Sequence, residues 1–193
     1  FPKPQPTSLA DYTIDISKTP YQSEVVYTDV IVKNLLGANF VIKPVATYRI
    51  SGLILGKYYY MPFSAWDRLA PIDLTIAWGD LPLPENSKYV AIEHTMRSHE
   101  LKVKPGSLFD RKYLIQHASF NHIIGANTNV LDAVTSLKLS QKVTLEGFLV
   151  NVINISVPGN QQWTTSLKRN DDGPTACEIL YVTKVTVGGK VYE

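Results

Sequence analysis

Val45–Tyr60, VATYRISGLILGKYYY, is the longest strand-like segment of the chain. Ala46, Tyr48, Ile50 and Ile54 lie on one face, and Val45, Leu53 and Leu55 on the other, so both faces are apolar in the middle. A strand of a closed barrel or a covered sheet has that pattern. Gly52 and Gly56 interrupt it where a strand bulges or bends, as barrel corners require. The same glycines do not make a phosphate loop. Three residues separate them where four are needed, and Lys57 is followed by Tyr58 instead of Ser or Thr.

Upstream, residues 1–24 hold four prolines and read as an extended arm ahead of a single domain, 25–193. Glu24–Lys33 predicts a strand that Asn34–Asn39 interrupts. Downstream, Ser64 and Asp67 form a capping-box pattern before one helical turn that Pro71 stops. Ile72–Trp78, IDLTIAW, alternates as a half-buried strand. Gly79–Ser87 reads as a loop, and Lys88–Glu93 and Glu100–Lys104 as strands around HTMRSH. Tyr113–Asn127 starts as a strand and becomes irregular.

Asn129–Leu139 is the one helix the pattern predicts. Val130, Leu131, Val134 and Leu137 fall at helical spacing, with Asn127 or Thr128 as cap. Lys142–Ile155 predicts a strand bent at Gly147. Gln162–Val182 reads as strand, polar turn at Asn170–Pro174, and strand; a Gly188-Gly189 ribbon closes the chain. About eight strands, one short helix and long loops predict a mainly β domain, an antiparallel, OB-like barrel.

With 193 residues, 45% hydrophobic and 19% charged, the chain is long and apolar enough for a packed core and is not of disordered type. Nineteen basic residues against seventeen acidic leave a net charge of +2. The cations are scattered, in loose groups at Lys102/Lys104/Arg111/Lys112 and Lys168/Arg169, so composition does not favour a nucleic-acid partner. The lone Cys177 excludes an internal disulfide and a cysteine-rich zinc site. No run approaches the ~18 apolar residues of a membrane helix. The opening FPKPQP reads as a processed or truncated start, consistent with export to the periplasm or cell envelope.

Two sets of side chains are candidates for function. His117 and His122, five apart, bracket Asn121; with Arg169 and Asp171 they would make a phosphodiester hydrolase if an irregular loop brought them together. His94 and His99 repeat the interval. The competing reading is that these histidines are structural, and no metal or cofactor motif accompanies them. The second set is aromatic. Tyr58, Tyr59, Tyr60, Trp66, Trp78 and Trp163 would line a groove for sugars, bases or a peptide, unless they pack the core and its rim. A Ser166 nucleophile lacks an elbow motif, and Cys177 reads as a small buried hydrophobe.

WTTSLKRNDDGPTACE (163–178), with HASFNHIIGAN (117–127) upstream, resembles a pattern of an uncharacterised group of bacterial exported or membrane-associated proteins, over roughly residues 45–185. The resemblance implies an envelope location, a shared fold and contact between the two stretches, but no activity. The sequence reading is therefore a non-enzymatic binding or structural module of the cell envelope. It would recognise a protein or polymer through an aromatic and loop-lined face, with a hydrolase as the alternative.

Overall fold

A computed structural model describes residues 3–25, 29–95, 97–168, 171 and 176–193. In chain order its strands and helices are β1 (Ser8–Leu9), β2 (Tyr21–Glu24), β3 (Ile31–Leu35), β4 (Ala38–Tyr59), α1 (Ala65–Leu69) and β5 (Ile72–Ala77). There follow α2 (Pro84–Ser87), β6 (Val90–Thr95), β7 (Ser98–Val103), α3 (Arg111–Gln116) and β8 (Ala118–Gly125). The chain ends with α4 (Thr128–Ser136), β9 (Lys142–Asn154), β10 (Gln161–Trp163), β11 (Glu178–Val187) and β12 (Lys190–Tyr192).

The protein is mainly β, and β4 is its longest element, 22 residues in length. One edge of β4 pairs with β9 from Phe40↔Asn154 to Leu53↔Lys142. Its other edge is shared by β3, β2 and, towards its end, β5, where the register shifts between Ile54 and Gly56. β5 pairs with β8, Ile72 opposite Ile123 and Ala77 opposite Ala118. β8 pairs with β11, and β11 pairs in turn with β9, Leu180 opposite Leu149. The hydrogen-bonded path β4–β5–β8–β11–β9 therefore returns to β4. β6 and β7 form a separate hairpin.

The side chains inside that path make the central core. Ile50, Ile54, Leu74, Ile76, Leu145, Leu180 and Val182 pack with the buried stripe of α4, Val130, Ala133, Val134 and Leu137. Each fully buried aliphatic side chain of this kind contributes about 1.5–3 kcal/mol. A second layer, Phe40, Ile42, Val150 and Val152, supports Trp66 and Trp163.

Several expectations are corrected. The sheet is not wholly antiparallel, because β8 and β11 run parallel. Four helices, not one, occur among the described residues. α3 begins where a strand was expected, because the Asp110 side chain accepts from the Tyr113 amide at 2.8 Å and starts a helix on a short apolar run. α2 begins with Pro84 at its first turn, inside the expected loop. β5 is buried on both faces, not one: the outer face carries Ala77, which packs with Leu101 of β7 and Leu114 of α3.

The Gln162–Val182 stretch is not a hairpin. β10 and β11 follow one another along the same edge of β9, Trp163 opposite Val152 and Leu180 opposite Leu149. The returning chain is fastened locally by Ile179 N donating to Thr165 Oγ1 at 2.9 Å and Ser166 N to Cys177 O at 3.0 Å. Of the predicted turn Asn170–Pro174, only Asp171 is among the described residues. Within Glu24–Lys33, β2 ends at Glu24 and β3 starts at Ile31, with 26–28 outside the described residues.

Candidate functional site

α1 carries Trp66. Ser64 and Asp67 close the capping box in both directions: Asp67 N donates to Ser64 Oγ at 3.1 Å, and Ser64 N to Asp67 Oδ2 at 3.0 Å. That fixes a short helix which would not persist alone. β10 carries Trp163, and the two indoles meet edge to face, centroids 5.6 Å apart at 89°. Trp66 Nε1 donates to Gln161 Oε1 at 3.0 Å, tying α1 to β10. The indoles, with Ser64, Asp67, Gln161, Gln162 and Arg97, border an open cleft of about 530 Å³.

Arg97 arrives from the tip of the β6–β7 hairpin, with φ of 64°. Its guanidinium lies 3.5 Å from the Tyr60 ring centroid and 5.5 Å from that of Trp163. It donates to Asp67 Oδ1 at 2.8 Å and to the Ala70 carbonyl at 2.6 Å, and pairs with Asp73 Oδ1 at 3.4 Å. Burial works against the Asp67 carboxylate, but the bonds from Ser64 and Arg97 outweigh it and hold its pKa below the usual value.

Beneath the cleft lies Asp73, 1% exposed. It accepts from Tyr60 Oη at 2.5 Å and pairs with His122 Nδ1 at 2.9 Å, and His94 Nε2 stands 3.5 Å away. Burial, together with the bond to Asp73, drives the Tyr60 phenol well above its ordinary pKa. Burial also lowers His94, against the pull of the Asp73 charge. The His122 ring packs 4.5 Å from Trp163, so the buried network supports the cleft directly.

The predicted aromatic residues divide. Trp66 and Trp163 line the cleft, and Tyr60 lies against Arg97 in the Asp73 network. Tyr58 stacks on His94 at 3.9 Å, whereas Tyr59, on the opposite face, donates to the Thr135 carbonyl of α4. Trp78 is not a groove residue; it is wholly buried in the central core.

The described members of the predicted hydrolase set line no common cavity. His117 caps α3, its Nδ1 2.9 Å from the Tyr113 carbonyl and its ring stacked on Tyr113. His122 sits five residues on, roughly 16 Å away along a strand, in the Asp73 network. The Asn121 amide donates to Ser119 Oγ at 2.9 Å between buried strands. Asp171 accepts from Ser166 Oγ at 2.5 Å beside a separate cavity of about 280 Å³. Arg169 lies outside the described residues.

Sequence reasoning missed Arg97, Asp73 and the two glutamines. A signal existed for the first. His94 and His99 face each other across β6–β7, so their interval is that of a hairpin, and Arg97 lies at its tip. Among the described residues no group of three or more His, Cys, Asp or Glu is arranged to hold a metal ion. The two stretches of the family-like pattern do meet, through the β8–β11 pairing and the Trp163–His122 contact. No family model, curated protein or solved structure matches the chain.

Proposed function

We propose that this protein is a non-enzymatic binding module of the bacterial cell envelope, built on a small OB-like closed barrel and recognising an extended polymer through the Trp66–Trp163 cleft. Three features support the barrel reading: the strand path that returns to β4, the parallel β8–β11 pair, and α4, between β8 and β9 in the chain, with its buried stripe packed on the core. The cleft lies between the β4–β5 connection, which brings Trp66, and the β9–β11 connection, which brings Trp163. The envelope assignment rests on the sequence reading, and cell fractionation tests it.

The observation that carries the binding reading is the edge-to-face contact of Trp66 and Trp163, held by Gln161 and Arg97 at the wall of an open cleft. Two half-buried indoles brought together from connections 97 residues apart in sequence make a rigid, partly apolar surface at low entropic cost. Beneath them Tyr60, His122 and Arg97 are all bonded to Asp73, which suits a scaffold more than a reaction centre. The test is binding of soluble polymers (an oligothymidylate, a proline-rich peptide, neutral oligosaccharides) to the wild type, Trp66→Ala and Trp163→Ala. Binding by the wild type that both variants lose, with intact thermal unfolding, supports the reading. Binding unchanged in both variants overturns it.

A further inference from the structure

The charge at the cleft narrows the class of ligand. Arg97 is the one cation among the described residues that border it, and its guanidinium is already committed. One terminal nitrogen donates to Asp67 at 2.8 Å and to the Trp66 carbonyl at 3.3 Å; the other donates to the Ala70 carbonyl at 2.6 Å and to Asp73 at 3.4 Å. Two carboxylates thus share one guanidinium. A phosphate entering here would compete with Asp67 for Arg97 and meet the Asp67 charge at close range. Grooves that track a nucleic-acid backbone carry cations available to the phosphates, and the described residues of this one supply none.

What the cleft does present is indole surface beside uncharged hydrogen-bonding groups. Gln161 accepts from Trp66 through Oε1, a bond that leaves its amide hydrogens unused, and Gln162 is exposed. A pyranose ring has the matching chemistry. Its axial C–H bonds carry partial positive charge suited to the negative face of an indole. Its rim of hydroxyls both donates and accepts, as a primary amide does. A proline-rich peptide fits less well, because its docking grooves are lined by aromatic ridges along the strand, whereas these indoles stand at 89° and form a corner.

Resting on the reading of this cleft as the binding face, we infer that its ligand is an uncharged glycan, with one sugar ring stacked on an indole and its hydroxyls bonded to Gln161 and Gln162. The experiment is calorimetric titration of the whole chain with cellohexaose, chitohexaose, laminarihexaose and maltohexaose to about 10 mM, with an oligothymidylate and a proline-rich peptide alongside. At least one hexasaccharide is expected to bind, with an affinity flat between about 50 and 500 mM salt. Trp163→Ala should weaken it about tenfold or more, the size of a lost ring stack. Gln162→Ala, at an exposed side chain, should weaken it several-fold without touching the fold.

Absence of binding by all four hexasaccharides overturns the glycan inference. If the oligothymidylate or the peptide then binds in a Trp163-dependent manner, the cleft remains the binding face and only the ligand class falls. A hexasaccharide that binds equally well to Trp66→Ala, Trp163→Ala and Gln162→Ala overturns both.

Discussion

Asp73 and His122 stand directly opposite each other on β5 and β8, Oδ1 to Nδ1 2.9 Å apart, and both are about 1% exposed. A carboxylate hydrogen-bonded this deep in the protein needs further partners to offset its desolvation. They are supplied by Tyr60 from the end of β4 and Arg97 from the β6–β7 tip. One carboxylate therefore gathers three separate segments of chain beneath Trp163.

Replacing Asp73 by Ala removes the shared acceptor and leaves His122 Nδ1 and part of Arg97 unmatched, whereas the Tyr60 hydroxyl keeps His94 Nε2 at 3.0 Å. Breaking a buried pair from one side costs about 3–5 kcal/mol. For a chain of 193 residues that lowers Tm by about 10 °C. Asp73→Asn, which keeps the shape and one acceptor oxygen, should lose less. Urea unfolding of both variants checks the order, and an Ala variant within about 0.5 kcal/mol of the wild type refutes the linchpin role.

His94 gives the network a pH response of definite sign. Burial depresses its folded-state pKa below the ordinary 6.5, with Asp73 opposing and Arg97 and His122 adding to the depression. The folded protein thus binds fewer protons there than the unfolded chain. Its contribution is complete above about pH 6.5 and is lost as pH falls towards the depressed value. His94→Phe keeps a ring over Tyr58 but cannot titrate. The wild type should lose more stability than this variant between about pH 7.5 and 5.5, measured as urea midpoints. Equal losses refute it.

Much of the scaffold was readable because its signals are local. The two-faced apolar pattern of Val45–Tyr60 became the core of β4, the Ser64/Asp67 box capped α1, and the helical stripe from Val130 to Leu137 became α4. The site was only half readable, because its contacts are not local. Nothing near Arg97 announces a partner thirty residues earlier at Asp67, and Asp73 sits in an apolar run whose alternation suggested an exposed side chain. Trp66 and Trp163 could be named singly as binding aromatics; their contact depends on β10 extending the β9 edge, which strand periodicity does not encode.

Cys177 is expected to be inert in the native protein. It is 9% exposed, and burial, with the charges of Glu178, Asp73 and Asp171 behind it, pushes the thiol up to about 12. The thiolate is the reactive species, so alkylation at about pH 8 should be at least tenfold slower than in the urea-unfolded chain. Mass-spectrometric counting of iodoacetamide adducts measures it. Labelling as fast as in the unfolded chain would contradict the buried placement.

Gly147 of β9 stands opposite Val182 of β11, beside the register shift between Val182 and Lys184. A Cβ at this position would lie 2.0 Å from the Tyr181 carbonyl oxygen and 3.0 Å from its carbon. Both are backbone atoms of a paired strand, so neither can yield by a rotamer change. Gly147→Ala must push β11 off β9 at the closure of the strand path, at a cost of about 3 kcal/mol, the upper end for overpacking. Gly159→Ala, in a turn with nothing within 4 Å of the added carbon but φ of 82°, is the matched control for glycine loss alone. Its cost should be about 1 kcal/mol. Urea unfolding of the pair separates steric closure from backbone preference. Comparable losses in the two variants would mean that the β9–β11 approach is looser than this contact distance requires.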